Sequence, residues 1–223
     1  MKKAILLILG LTVIIFAAAE ARQPIDYRRT LFAPLGDRTL LFEAPQGMCF
    51  LDESKYSEGM VLSHMQRLGR AEGERTVVAV FADCYKLSSL GSSGEADLLD
   101  IGTISWMNPF VGEKSPLPRP DYLDMREVTL RDLTAHSLRR YSLANLDPET
   151  RRTDELVAIA YDAQLKLEQD KYQTVGIVVA TLIQDFPIDI LFTHTSKEPE
   201  KDRSALYSLM DKFVTQQIAL NRH

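Results

Sequence analysis

The chain contains four histidines that could take part in acid–base or metal chemistry, His64, His136, His194 and His223. They are far apart in the sequence, and no His-Glu-x-x-His pattern places two of them one helical turn apart. Metal ligands can also come from distant positions, so the spacing alone leaves a dispersed site open. Because most histidines are solvated or hydrogen-bonded without being ligands, we predict no metal site and no cofactor.

A group of carboxylates flanks a proline-rich segment in the middle of the chain. Its members are Asp97, Asp100, Glu113, Asp121 and Asp124. Such a group could bind a hard cation or serve a hydrolase, but Asp and Glu are mostly solvent-exposed in proteins. We interpret these residues as solvated loop residues. The alternative is a periplasmic hydrolase with a dispersed histidine and carboxylate site, for which Asp100 and His194 are the residues to test.

Sequence signatures of other catalytic classes are missing. Gly91-Ser92-Ser93-Gly94 is one residue short of the G-x-S-x-G nucleophile elbow and lies in a segment without the strand–turn–helix context. The chain has no P-loop, no G-x-G-x-x-G fingerprint and no EF-hand loop. The sequence therefore favours a protein without catalytic activity over an enzyme.

The proline-rich segment 108–121 is the candidate contact surface. It contains four prolines and a glycine, a density at which no regular strand or helix is expected. Long loops in compact domains are often functional, and aromatic and arginine side chains are enriched at binding surfaces. We therefore predict that Trp106, Phe110 and Arg119 contribute to binding. The alternative is that Trp106 caps the core and the segment is a plain surface loop.

The N-terminus has the layout of a bacterial secretory signal. Met1-Lys2-Lys3 is basic, sixteen uncharged residues follow from Ala4 to Ala19, and Ala19-Glu20-Ala21 fits a small-x-small cleavage site. We predict a signal peptide over 1–21 and one domain over 22–223, exported to the periplasm or secreted, without an integral membrane span after cleavage. The alternative is an inner-membrane anchor formed by an uncleaved signal.

Export changes the interpretation of the two cysteines, Cys49 and Cys84. Each lies in a strand-like apolar segment, and an even number of cysteines in an oxidising compartment favours a disulfide. Two buried free thiols are the alternative. The absence of a C-x-x-C motif argues against a catalytic thiol.

The charge balance restricts the partners. The 223 residues include 26 Lys and Arg against 31 Asp and Glu, a net charge of −5, and loss of Lys2, Lys3 and Glu20 with the signal leaves 24 against 30. Nucleic-acid-binding domains usually carry a positive patch, and an acidic chain is not attracted to anionic lipid. We expect neither nucleic acid nor a lipid surface as partner, but another envelope protein or a small ligand.

Hydrophobic periodicity predicts an α+β fold, mainly an antiparallel sheet covered by three helices. The predicted helices span 52–73, 129–145 and 201–221; the predicted strands span 39–43, 48–51, 76–84, 98–107, 156–167, 172–183 and 188–195. The first two strands are expected to form a hairpin around Ala44-Pro45-Gln46-Gly47. Short connections between the last three strands imply antiparallel neighbours.

This layout resembles the family of exported accessory proteins that includes the photosystem extrinsic subunit PsbP and the DcrB-type envelope proteins. The resemblance depends on the early hairpin Leu40–Leu51, the helix after it, and the closing strand Ile188–His194 followed by the helix Asp202–Leu220. It implies an α/β/α sandwich and a non-catalytic accessory or binding function on the exported side of a membrane. It assigns no functional residue.

Overall fold

The structure is a computed structural model that describes residues 28–35, 38–71, 75–89, 100–108, 110–140, 149–167 and 170–222. Within these ranges, side chains at 71, 88–89, 133–140, 163–167 and 170–172 are not part of the description. The predicted signal peptide over 1–21, Asp97, the segment 91–94 and His223 all lie outside the described residues.

Nine strands and four helices are formed by the described parts of the chain. The strands are β1 Thr30–Leu35, β2 Arg38–Glu43, β3 Met48–Phe50, β4 Arg75–Asp83, β5 Ile101–Met107, β6 Glu149–Arg152, β7 Leu156–Leu167, β8 Asp170–Ile183 and β9 Phe186–Thr195. The helices are α1 Tyr56–Ala71, α2 Cys84–Ser89, α3 Arg119–Arg140 and α4 Pro199–Leu220. The short α2 adds a fourth helix to the three that were predicted.

A seven-stranded sheet with the order β3-β4-β5-β9-β8-β7-β6 forms the centre of the fold. Every pair of neighbouring strands in it is antiparallel. The predicted α+β class with a mainly antiparallel sheet is therefore confirmed. The strands that were predicted over 156–167, 172–183 and 188–195 are β7, β8 and β9, which pair in sequence order through short turns.

The two faces of this sheet are apolar and each contacts a long helix. The alternation along β9 sends Ile188, Ile190 and Phe192 into one core, together with buried residues of α4 such as Phe213. On the other face, Tyr122, Leu123 and Leu130 of α3 pack with Val157, Ile159, Val178 and Ala180. Because β8 is covered on both faces, it is apolar along most of its length instead of alternating between apolar and polar residues.

The predicted hairpin over 39–51 is wrong. Instead, β2 pairs with β1 in a separate two-stranded ribbon, whereas β3 pairs with β4 at the edge of the large sheet. Side-chain amides at the end of α4 occupy the free edge of β2. Asn221 and Gln217 each accept a hydrogen bond from a backbone N–H of β2 and donate one to a carbonyl of the same strand.

The proline-rich loop is shorter than predicted, because α3 begins at Arg119 rather than at 129. The backbone N–H of Tyr122 donates to the carbonyl of Pro118 at 3.0 Å, which starts the helix. Pro120 is tolerated there because the first-turn N–H groups have no partner inside a helix. The loop therefore ends at 118 instead of 121.

The predicted disulfide between Cys49 and Cys84 is present, with the two Cα atoms 5.0 Å apart. It joins the short edge strand β3 to the first residue of α2. Around it, Ala82 and Leu87 are buried and form a small apolar cluster. The bond thus fixes α2 against the edge of the sheet.

Candidate functional site

The two aromatic residues of the predicted contact surface lie in different places. Trp106 is only 6% exposed and its ring lies 6.2 Å from that of Phe42 in the core beneath α4. Phe110 packs against the core beneath α3, on the opposite face of the sheet. The structure therefore does not bring Trp106 and Phe110 together, and Trp106 occupies the core position that was the alternative interpretation.

Arg119, the third predicted contact residue, borders a cleft of about 620 Å³ that we call the end cleft. Four cationic side chains line it: Arg38 of β2, Lys114 of the proline-rich loop, Arg119 at the start of α3 and Arg222 after α4. Lys114 comes from the proline-rich loop, so this loop contributes directly to the cleft. Asp154, Glu155 and Asp185 contribute carboxylates to the same lining.

Hydrogen bonds from Arg119 hold the walls of the end cleft together. Its guanidinium donates to the carbonyl of Glu155 at 3.2 Å and to that of Leu182 at 3.0 Å. The proline-rich loop is attached nearby, where the N–H of Ser115 donates to the carbonyl of Asp185 at 2.8 Å. These bonds connect the start of α3, the turn before β7 and the end of β8.

The β8–β9 turn at the cleft has an unusual backbone. Gln184 and Asp185 have φ values of 51° and 70°, the left-handed region that two-residue hairpins require and that Asn-Gly usually fills. Both side chains are engaged: Gln184 accepts from Arg38 at 3.4 Å and donates to the carbonyl of Asn221, and Asp185 pairs with Lys114 at 3.2 Å. Unusual backbone of this kind often occurs at functional sites.

The charges of the end cleft are incompletely paired. Lys114 pairs with Asp185, and Arg222 lies 4.0 Å from Glu155. Within the ranges that the structure covers, however, no carboxylate lies within 4.0 Å of Arg38 or Arg119, and no basic group lies that close to Asp154. The cleft therefore presents two cations and one anion that have no ionic partner in the described chain.

A second polar site lies at the other end of β9, where Asp100 and His194 meet; we call it the histidine cluster. Nδ1 of His194 lies 2.7 Å from Oδ1 of Asp100, and Nζ of Lys86 donates to the other carboxylate oxygen at 2.8 Å. The N–H of Thr195 adds a bond at 3.2 Å. The structure thus brings together the two residues singled out for the alternative hydrolase.

The environment of Asp100 keeps it ionised. Burial by itself would raise the pKa of this carboxyl, but the hydrogen bond from Lys86, the charges of His194 and Lys86, and the Thr195 N–H together lower the pKa below its usual value of 3.8. With Nδ1–H donating to Asp100, Nε2 of the same ring is a donor in the protonated histidine and an acceptor in the neutral one.

Among the described residues, no hydroxyl or thiol is hydrogen-bonded to Nε2 of His194. Nε2 of His194 lies 3.9 Å from Oδ2 of Asp202, in the first turn of α4. The hydroxyl of Ser196 donates to that same carboxylate oxygen at 2.6 Å, so it is directed away from the imidazole. The arrangement resembles the base and its orienting carboxylate of a hydrolase, but within the described ranges no hydroxyl is placed for that base to deprotonate.

The structure does not bring the remaining candidate histidines and carboxylates together into one site. Glu113, Asp121 and Asp124 are exposed, and Asp124 forms an ion pair with Arg152. His64 is exposed on α1. Among the residues that the structure describes, no group of three or more histidine, cysteine, aspartate or glutamate side chains could hold a metal ion.

Sequence reasoning missed a buried charged pair in the middle of β9. Nη2 of Arg126 donates to Oδ2 of Asp189 at 2.6 Å, Arg75 approaches the same oxygen at 3.4 Å, and both Arg126 and Asp189 are at least 96% buried. The hydroxyl of Tyr122 lies in the same interior, where burial and the charge of Asp189 raise its pKa. The only sequence signal is an aspartate between isoleucines in an apolar strand.

Comparison with protein-family models, curated proteins and solved structures found no match for this chain. A separate search for long apolar helices, limited to the described ranges, found none able to cross a membrane.

Proposed function

We propose that this protein is an exported, non-catalytic accessory or binding protein of the bacterial cell envelope, and that it binds a small ligand in the end cleft. The N-terminal signal layout supports export, and the Cys49–Cys84 disulfide is compatible with an oxidising compartment. The periplasm is the proposed location, and residues 1–21 are the proposed cleaved signal.

The observation that carries the binding function is the unpaired charge of the end cleft. Arg119 and Lys114, both from the segment that the sequence suggested as a contact surface, line it together with Arg38. A protein that keeps polar side chains converged around a cavity without pairing them all has a surface suited to a polar ligand. Nothing comparable is exposed at the position of Trp106, which is buried.

The proposed architecture is an α/β/α sandwich of the PsbP-like and DcrB-like kind. It is supported by α4 packing on one face of the seven-stranded sheet and α3 on the other. Of the elements on which the resemblance depended, the closing strand and helix correspond to β9 and α4, whereas the early hairpin is not formed because β2 pairs with β1. The resemblance adds the expectation of an accessory function on the exported side of a membrane.

The test is to express the chain with its own N-terminus and analyse the product by mass spectrometry. We expect a periplasmic protein beginning at Arg22, carrying a non-covalent small molecule under native conditions. In the Lys114→Glu and Arg38→Glu variants the bound molecule should be lost, whereas the control Arg70→Glu, on the exposed side of α1, should retain it. Retention of residues 1–21 in a membrane fraction, or equal occupancy in all variants, would contradict the proposal.

A periplasmic hydrolase is the second candidate function, and the contact between Asp100 and His194 favours it. In that case Nε2 of His194 would act on a water molecule, since Ser196 is bonded to Asp202. Turnover of a panel of ester, amide and phosphate substrates that disappears in His194→Ala and falls in Asp100→Asn would support it. The control is His64→Ala. Turnover insensitive to both cluster substitutions would remove this candidate.

A further inference from the structure

Arg38 and Arg119, which have no carboxylate partner among the described residues around the end cleft, still have donors to offer. Arg119 uses one N–H of each terminal nitrogen for the carbonyls of Glu155 and Leu182. Arg38 makes one long bond, 3.4 Å, to Gln184. A guanidinium has five N–H donors, so both side chains keep free donors in the fork arrangement that binds carboxylate and phosphate oxygens.

One of the three carboxylates that line the same cleft has no partner among the described residues. Asp154 precedes β7, is exposed, and forms neither an ion pair nor a hydrogen bond with any residue that the structure describes. Its neighbour Glu155 differs, because it has Thr215 at 3.4 Å and Arg222 at 4.0 Å. Asp154 is therefore the carboxylate of the cleft that is available to a positively charged group.

The remaining charges of the cleft compensate each other. Lys114 and Asp185 form one pair, and Arg222 and Glu155 form a second, longer one. Subtracting these pairs leaves Arg38, Arg119 and Asp154, two positive charges and one negative. A ligand that complements them carries two negative charges and one positive charge.

We propose that the end cleft binds a small zwitterion with surplus negative charge, whose carboxylate or phosphate oxygens contact Arg38 and Arg119 and whose ammonium contacts Asp154. An acidic amino acid has this charge pattern, and so does a phosphate monoester that carries an amine. The volume of about 620 Å³ lies within the range of small-molecule sites. This inference rests on the proposed function, which assigns the cleft to binding without a ligand class.

The test uses two pairs of probes that differ only in the ammonium-bearing part. L-Aspartate is compared with succinate, and O-phosphoethanolamine with inorganic phosphate, by titration calorimetry on the mature, disulfide-bonded protein at low salt. In each pair that binds, we expect the ammonium to improve affinity by about twofold to fivefold, the range of an exposed ion pair. Binding of the aspartate pair alone identifies a carboxylate ligand, and binding of the phosphate pair alone a phosphate ester.

Three variants assign the contacts. Arg38→Gln should weaken both members of a binding pair by about tenfold, since it removes a charged hydrogen-bond donor. Asp154→Asn should weaken only the zwitterion, so that the two members bind equally. Arg70→Gln, at an exposed arginine of α1 that also donates to a backbone carbonyl, is the matched control and should change nothing. Urea unfolding of each variant checks that the fold is intact.

The inference is overturned if no probe binds saturably to the folded protein, or if Arg38→Gln binds as the wild type does. Unchanged preference for the zwitterion in Asp154→Asn also overturns it. These outcomes can be distinguished from a failure of the proposed function. A native ligand that is lost in Lys114→Glu but carries no ammonium would refute the zwitterion and leave the binding function standing.

Discussion

The two ends of β9 carry opposite kinds of polar site. At its start the end cleft holds Arg38, Arg119 and Asp154 without ionic partners among the described residues, whereas at its end both carboxylate oxygens of Asp100 are bonded. The two sites are about 30 Å apart, since a strand rises roughly 3.3 Å per residue. Charges that are satisfied internally contribute to the fold, and charges left unpaired in an open cleft are available to a ligand.

The middle of β9 completes this comparison, because Asp189 lies there in the interior with Arg126 and Arg75. The polar groups near the middle, the end and the start of β9 thus range from fully enclosed through half-buried to open. If internal pairing determines the contribution to folding, the free energy of unfolding should respond most to the enclosed pair and least to the open turn.

Removing the charge of Asp189 should have the largest effect. Asp189→Asn removes the carboxylate that pairs with the buried guanidinium of Arg126, so we expect the free energy of unfolding to fall by about 3–5 kcal/mol. Urea denaturation measures this loss of unfolding free energy, with Asp185→Asn at the open end as the control. If the single variant does not fold, the double variant Asp189→Leu/Arg126→Met should, because it removes the buried guanidinium together with its carboxylate partner. Only Arg75, whose side chain is 14% exposed, then loses an ion pair. A loss below 1 kcal/mol in Asp189→Asn would contradict the assignment.

The disulfide should have the next largest effect, because it holds α2, whose Lys86 belongs to the histidine cluster. Cys49→Ser with Cys84→Ser opens a link between residues 35 apart in the chain. We expect a loss of about 3–4 kcal/mol on the chain-entropy argument. Urea unfolding of the double variant should match that of the reduced wild type. Equal stability of the oxidised and reduced forms would show that the bond adds nothing.

Asp100 should have a smaller effect that depends on pH. Its folded pKa is lowered, so its contribution is complete above the unfolded pKa near 4 and disappears as the pH falls through the folded value. We expect Asp100→Asn to lower the free energy of unfolding at pH 7 by about 1–2 kcal/mol, since its hydrogen bonds are charged and half-buried. The difference from the wild type should shrink below pH 4, as measured by urea unfolding at several pH values. A difference constant from pH 3 to 7 would exclude this origin.

The sequence predicted the parts of the fold whose signal is local. Continuous apolar runs and short turns indicated the three strands β7–β9, and helical periodicity indicated α4. The periodicity of α1 was misleading. Tyr56 and Met60 follow the four-residue spacing of an apolar helix face, yet they are 83% and 56% exposed, while Glu58 is buried through bonds with Arg28 and the N–H of Asp52. The spacing of hydrophobic residues cannot reveal that a glutamate is buried because it pairs with an arginine thirty residues earlier in the chain.

The parts that could not be predicted depend on contacts between distant segments. The edge of β2 is completed by Gln217 and Asn221, more than 170 residues away, so nothing near the predicted hairpin indicated that it would separate. The end cleft has the same origin. Arg119 was predicted from its own loop, but Arg38 and Asp154 join it only because the turns before β7 and β9 and the start of β2 converge at one end of the sheet.

The smallest effect should come from the turn at the open end. Asp185→Gly gives the position with φ of 70° a residue that adopts this conformation freely, and it removes only an exposed pair with Lys114. We expect the free energy of unfolding to change by less than about 1 kcal/mol, with the glycine variant more stable than Asp185→Asn, which keeps a side chain while losing the charge. Urea unfolding of the two variants in parallel separates backbone strain from the ion pair. If both lost more than 2 kcal/mol, the open end of β9 would contribute to folding as strongly as the enclosed middle, and the distinction between paired and available charge would fail.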